Sequence, residues 1–391
     1  MFVTTSVAVL AFGLVSGQVA AFSPATVSSK NVVHSGTASS SALDMATWSD
    51  SRAVKDYQEF LNSGAREMEL KEDGPSIVLI SPSEAGLEFQ QLNPIAQALL
   101  HMGRGDDIIL TPYQELPATL GEGESATSEY PIYITLPPTE ILPFIQNLDE
   151  AYSERTDDFV FFSGGLQFGN IEEVLKEYGF CREDMTQVMI SGLQVDENGI
   201  TDKSVKLGVD AVGEEKIAGE SSACGKWKGA IAKRLERNQM RCAVDFYRDW
   251  RRKMWERNLL DAIFNLVGCV REEPTTIQDV ANYYEQEVSD MIWEITGSLR
   301  AWKAVTLLYG FEERLLGVAE ANTQQCTLVE DRFPYIWGNQ VFLNSPKVLE
   351  YLHYAQSQRG FIPGVQLPPM KESSELSNVM RQGNLRADGV I

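Results

Sequence analysis

Three side chains of this chain stand at helical spacing and could do chemistry together: Arg257, Asp261 and Asn265. Residues four apart share one face of a helix. A guanidinium there can clamp a carboxylate through two parallel N–H bonds. It cannot serve as a general acid, because arginine does not give up its proton near neutral pH. A lysine could be tuned by burial to do so, so an arginine at such a place changes the available chemistry. Two readings of Arg257 stay open: a carboxylate clamp, or an ion pair with Asp261 along one helix face. Asn265 likewise reads as a ligand-binding amide or as a buried amide bonded to backbone.

A second group follows a short apolar run. Ile77-Val78-Leu79-Ile80 reads as a buried strand, and Ser81-Pro82-Ser83-Glu84-Ala85-Gly86 comes next. A dinucleotide-binding unit carries G-x-G-x-x-G at such a strand–turn–helix junction, so that backbone N–H groups can approach a diphosphate. Only the third glycine is present, as Gly86. Ser81 and Ser83 replace the others, and their hydroxyls could donate in part. Pro82 removes one N–H, and Glu84 adds negative charge where an anion would sit. Beyond the next strand no acid is well placed for a ribose. No arginine for a 2′-phosphate lies between Arg104 and Arg155.

The third group is a run of charge. Residues 226–257 hold the cations Lys226, Lys228, Lys233, Arg234, Arg237, Arg241, Arg248, Arg251, Arg252, Lys253 and Arg257, within a chain of formal charge -22. Trp227, Ala230, Ile231 and Leu235 mark the core face of the first helix there, which turns most of these cations to water or to a cleft. The run is either a solvated face balancing nearby acids or a seat for an anionic ligand or an acidic protein. Nucleic acid is excluded as a general partner by the acidic remainder of the chain.

The elements that must position these groups change character along the chain. Strands are expected at 77–80, 107–110, 132–136, 159–162 and 188–190, with helical segments around 95–100 and 141–148 between them. That alternation predicts a parallel α/β sheet. Residues 118–129 read as an exposed loop, and 194–220 as an antiparallel edge hairpin. Long helices follow: 246–267, one capped by Thr276 with Asp279, one over 301–320, and a last one after Ser345-Pro346. The expected organisation is 76–245 as a Rossmann-like domain and 246–363 as a helical domain. A linker helix at 46–75 precedes them and a disordered tail at 364–391 follows.

Composition sets outer bounds. The chain has 391 residues, 43% of them hydrophobic, enough for two buried cores. Its five cysteines, Cys181, Cys224, Cys242, Cys269 and Cys326, are odd in number and lack a C-x-x-C pair. With only His34, His101 and His353 beside them, neither a disulfide framework nor a metal site is expected. The histidines have no obvious nucleophile beside them. Residues 7–17 form an apolar run too short to span a bilayer, and small residues follow it. The reading is a signal peptide at 1–21 and a Ser/Thr/Ala-rich transit peptide at 22–45, with no later segment apolar enough to cross a membrane. The alternative is an ordinary secretory signal.

Two resemblances bear on these groups. The junction Ala20-Ala21-Phe22-Ser23-Pro24 resembles that of plastid preproteins in algae with complex plastids, which implies a stromal destination. The segment 254–265, with Trp255, Arg257, Asp261 and Asn265, resembles the start of the helical domain of ketopantoate reductases. Residues 158–165 resemble their strand ending in Asn-Gly, and Tyr335-Ile336-Trp337-Gly338 their late Tyr-Ile-Asn-Gly segment. The resemblance implies a Rossmann domain joined to a helical domain like the C-terminal domain of 6-phosphogluconate dehydrogenase. It also implies NADPH-dependent reduction of a 2-oxo acid. In that family a lysine is the general acid, two asparagines and a serine hold substrate, and a glutamate orients it. Here the lysine falls on Arg257, the asparagines on Asp261 and Asn265, and the glutamate near Asp331 or Arg332. The cofactor-side asparagine falls on Gly164, and the glycine loop on Ser81, Ser83 and Gly86. The expectation is a degraded relative that binds no cofactor and works as a ligand-binding or protein-interaction module. An active NAD(P)-dependent oxidoreductase acting on a small 2-oxo acid, using NADP, is the alternative. A third reading is a structural subunit docking on an acidic plastid complex. The partner expectations are an anion or acidic protein at 226–257 and a second copy of the chain.

Overall fold

Apolar residues on both faces of short strands build a sheet that helices must cover on both sides. The computed structural model of the protein describes residues 70–370, apart from 124–125, 179–184, 192, 197–198, 203–204 and 210–214. Of residue 167 and of the strands between 193 and 218 only the backbone is described. The expected signal, transit peptide and most of the linker helix lie outside these residues.

Strands β1 (Ile77–Leu79), β2 (Ile108–Leu110), β3 (Ile132–Ile134), β4 (Phe159–Phe162) and β5 (Thr186–Met189) are mutually parallel, in the order β2-β1-β3-β4-β5. Two hairpins follow, β6 (Leu193–Asp196) with β7 (Gly199–Asp202) and β8 (Val205–Val209) with β9 (Glu215–Ala218). The chain then returns to the sheet as β10 (Ser221–Cys224), antiparallel to β5, and β11 (Cys242–Val244), parallel to β10. The expected single edge hairpin at 194–220 is thus two hairpins inserted between paired strands. The connections from β1 run to opposite sides, to β2 and then to β3. That makes the gap between β1 and β3 the switch point where open α/β sheets place ligands.

Around this sheet lie α1 (Pro94–Met102), α2 (Pro138–Gln146), α3 (Gly165–Phe168), α4 (Glu172–Glu177) and α5 (Lys228–Arg237). Alternation along each strand decides which helix it meets. Val78, Tyr133, Val160 and Val188 pack with Leu99 and Leu235, and Ile77, Ile134 and Phe161 pack with Ile141 and Leu175 on the opposite face. This is a Rossmann-like parallel sheet followed by an all-helical region. The latter holds α6 (Tyr247–Leu259), a π turn (Leu260–Phe264), α7 (Asn265–Cys269), α8 (Ile277–Tyr283), α9 (Glu285–Lys303), α10 (Phe311–Glu320) and α11 (Pro346–Arg359). Its core gathers Trp250, Trp255, Ile292, Ile295, Trp337 and Leu352.

The Thr276 cap forms as expected, but no helix runs unbroken over 301–320. Helix α9 ends at Ala304 in left-handed backbone, φ 53°, and α10 starts afresh after Gly310. Residues 364–370, read as tail, are instead held to α11. Gln356 Nε2 donates to Val365 O, His353 Nε2 lies 2.8 Å from Pro368 O, and Val365 and Leu367 pack on the helical core.

One buried ion cluster ties the chain entry to the sheet. Arg234 is wholly buried and donates to Asp73 Oδ1 at 2.9 Å, Asp107 Oδ1 at 3.0 Å and Gly74 O at 3.0 Å. Its guanidinium also lies 5.1 Å from the Tyr133 ring centroid. Within the basic run Arg234 and Lys228 are buried, while the other nine cations stay at least partly exposed, as expected of most of them. Removing one member of such a cluster strands the others without compensation. Arg234→Met is therefore expected to lower the stability measured by urea unfolding by about 3–5 kcal/mol.

Candidate functional site

The turn after β1 is closed on itself. Ser81 caps a short 3-10 turn (Pro82–Glu84) by accepting from Ser83 N, while the Glu84 carboxylate accepts from Ser81 N. Glu84 N donates to Ser81 O and Ala85 N to Pro82 O. The N–H groups of Ser81, Ser83, Glu84 and Ala85 are therefore all spent inside the turn. The hydroxyls are spent as well. Ser81 Oγ donates to Glu140 Oε1 at 2.8 Å and so accepts from Ser83 Oγ at 2.7 Å.

The helix that should follow is displaced. Helix α1 begins only at Pro94, and its first turn is already capped. Asn93 Oδ1 accepts from Ala96 N, and Glu84 Oε1 accepts from Asn93 N. Asn93 Nδ2 reaches Glu84 Oε2 and Thr135 Oγ1, and Thr135 Oγ1 donates to Leu79 O. Gly86 takes left-handed backbone at φ 78° with nothing near a would-be Cβ. It serves a turn and does not open a path to a phosphate. Two carboxylates, Glu84 and Glu140, stand at the switch point where a dinucleotide's diphosphate needs donors. These residues do not fit that group.

On the other side of β4, the predicted catalytic positions meet the sheet. Arg257 Nε donates to Asp261 Oδ2 at 3.1 Å, and Gly165 N–H also reaches Asp261. Burial pushes the Asp261 carboxyl above its ordinary range, against the downward pull of Arg257 and of Gly165 N–H. Gly164, at φ 91°, lies under Arg257. A Cβ there would come within 3.1 Å of Met189 Cγ and 3.3 Å of Arg257 Cγ. Gly164 thus lets the helix approach the end of β4 and holds no cofactor amide. Asn265 is closed off: its Nδ2 donates to Asp261 O and its Oδ1 accepts from Thr327 N. Of its two readings, the buried amide bonded to backbone is the one the structure shows. The π turn lies between Arg257 and Asn265. Asp331 and Arg332 lie in a 3-10 turn, with Asp331 exposed.

The open cleft is elsewhere. A space of about 180 Å³ opens beside β5 and β10. Lys253, Glu256 and Arg257 of α6, with Leu260 at the start of the π turn, form a wall, and Met189 and Glu220 come from the sheet side. Leu308, Arg314, Leu315 and Val318 face them. The three cations differ in what they have left to give. Lys253 pairs with Asp245 at 2.7 Å. Arg314 holds Glu256 by two bonds of 2.8 Å each. Arg257 uses Nε, while its terminal nitrogens carry one 3.4 Å contact to Ser191 Oγ among the described residues. Arg314 and Glu256 escaped sequence reasoning because they are 58 residues apart.

Much of the basic strip pairs with this chain's own acids. Lys226 bridges Asp158 and Glu129, Arg237 meets Asp73, Arg251 meets Glu172, Arg252 meets Asp249 and Lys233 meets Glu236. Lys226, and after it Lys71, holds the Glu129 carboxyl down at about 2. Burial pushes the thiols of Cys242 and Cys326 up to about 12, and that of Cys269 up as well, so none of the three is a ready nucleophile. Cys181 lies outside the described residues. Among the described residues no three His, Cys, Asp or Glu side chains could hold a metal ion, and no helix is long and apolar enough to cross a membrane.

No family model matches the chain, and no curated protein matches it in sequence. Among solved structures it is similar to 2-dehydropantoate 2-reductase from Methylococcus capsulatus, at 12% identity and TM-score 0.38, covering 80% of this chain and 98% of that one. The same enzyme from Geobacter metallireducens is similar at 16% identity and TM-score 0.39, covering 73% and 95%. A D-mandelate dehydrogenase in complex with NADH is similar at 11% identity and TM-score 0.35, covering 81% and 100%.

A carboxyl whose native pKa is raised binds its proton more tightly when folded. Its stabilising contribution is present below the unfolded value of about 3.9 and is lost as pH rises through the native value. The stability of Asp261→Asn relative to the unaltered protein is thus expected to improve from pH 4 to pH 7, measured by urea unfolding across that range.

Proposed function

We propose that this chain is a ketopantoate-reductase-like protein whose cofactor grip and proton donor are degraded, and that it works by binding a small anion in the Arg257 cleft. One observation carries the reading. At the turn after β1 the donors are consumed internally and two carboxylates are presented, while at the cleft the Arg257 side chain, 20% exposed, keeps the outer edge of its guanidinium available. A carboxylate suits that edge bidentately. The leucines and Met189 around it suit an apolar body, and the volume suits a molecule well below nucleotide size.

The alternative, an active NAD(P)-dependent oxidoreductase, draws support from the β1/β3 switch point and must find its diphosphate donors outside residues 81–85. Docking of the basic strip on an acidic protein is disfavoured by the internal ion pairs of that strip. Residues 1–45 support a plastid destination, which a fluorescent protein fused behind them in an alga with complex plastids checks directly.

The full chain, titrated with NADPH and NADH by cofactor fluorescence, is expected to show no binding in the low micromolar range. Binding there would return the oxidoreductase. Calorimetry with 3-methylbutanoate is expected to show binding, its uncharged amide none, and Arg257→Gln a loss of roughly tenfold or more in affinity, the scale of a charge-assisted bond.

A further inference from the structure

The rim of the cleft is a short loop held at both ends. Between α9 and α10 the chain is fixed at both ends: Arg251 Nη1 donates to Lys303 O at 2.8 Å and Val305 is buried in the helical core, while Gly310 takes left-handed backbone at φ 77° and caps α10. Between these points Leu308 lines the cleft, and its neighbour Tyr309 is fully exposed. A whole aromatic ring in water beside an apolar-walled cleft is surface with nothing yet to cover.

A single side chain of α10 secures this rim and ties it to the α6 wall. Arg314 Nη1 donates to Tyr309 O at 2.9 Å and Nη2 to Leu308 O at 3.3 Å. The same guanidinium grips both oxygens of Glu256, the residue beside Arg257. The loop position is therefore set through Glu256 by a charge pair that itself lines the cleft. A carboxylate seated on Arg257 repels Glu256 and attracts Arg314, which weakens the hold on the two carbonyls.

Resting on the reading of the cleft as an anion site, we propose that residues 306–309 are a lid. It is held open by Arg314 in the empty protein and drawn over the Arg257 cleft by an anion with an apolar body. Leu308 and Tyr309 then bury the apolar part of the ligand that α6 and α10 leave uncovered. The ligand closes the lid because it binds the closed form better, and for no other reason.

Hydrogen exchange on the full chain tests this. Saturating 3-methylbutanoate is expected to slow the amides of 306–310 by about fivefold or more, with 3-methylbutanamide without effect. In Glu256→Gln without ligand the same amides are expected to exchange about tenfold faster, because the bolt is cut. Tyr309→Ala, a change at a fully exposed side chain, is expected to weaken 3-methylbutanoate binding by roughly fivefold. If the acid binds in an Arg257-dependent way but leaves these amides and the Tyr309→Ala affinity unchanged, the lid is overturned and the anion site stands. If the acid does not bind at all, both are overturned.

Discussion

Glu172 puts a carboxylate where water cannot reach it, and three donors from one helix converge on it. Tyr247 Oη, Arg251 Nε and Trp255 Nε1 all reach its oxygens, at 3.3, 2.6 and 3.2 Å. The three stand four residues apart, one above the other on α6, and Glu172 itself belongs to the sheet side at the start of α4. A buried carboxylate is tolerated only with its lone pairs filled, so α6 can neither rotate nor slide without uncovering it. Everything at the candidate site inherits that constraint. Arg257 follows Trp255 by two residues and lands on Gly164, and Asp261 lands on Gly165 N–H. The opposite stripe of α6 is left to line the cleft.

Fixing α6 in this way separates two sites that a cofactor enzyme would need to join. The switch point lies between β1 and β3, whereas the cleft lies beyond β4, at β5 and β10. Between them Arg257 passes over Gly164 too closely to leave ordinary room for a side chain there. Two carboxylates of the chain itself stand at the switch point. Glu84 satisfies the start of α1, and Glu140 satisfies Ser81. Each replaces, from within the protein, a contact that a phosphate would otherwise supply.

The sequence made local features legible and long-range partners obscure. The five parallel strands follow from apolar runs bounded by Pro and Gly, and the Thr276 and Ser345 caps from side chains that act within one turn. The Arg257–Asp261 pair was open to reading because it spans a single helical turn. What stayed hidden was set by distant segments. Arg234 looked like one more surface cation in a basic run, and only the fold brings Asp73 and Asp107 to it across more than a hundred residues. Gly164 looked like a lost asparagine, and only the approach of α6 shows what its missing Cβ makes room for. The start of α1 at Pro94 was legible, as a helical segment around 95–100, whereas the hydrogen bonding of the turn before it was not. The Ser81–Gly86 turn imitates a phosphate loop in spacing while its hydrogen bonds point inward.

The chemistry open to the cleft follows from which cation faces it. A lysine at position 257 could be tuned toward neutrality by burial, against the pull of Asp261, and pass a proton to a reacting oxygen. An arginine does not supply such a proton; where its guanidinium holds an anion equally in ground and transition states, it contributes binding alone. Asp261 reinforces the point, since its carboxyl occupies Arg257 Nε and turns the remaining edge of the guanidinium toward the cleft. The planar fork is thereby oriented as a fixed receptor. Its position is held from behind by Gly164, from one side by Asp261 and along the helix by Glu172. Rigidity of this order presents the guanidinium in one geometry.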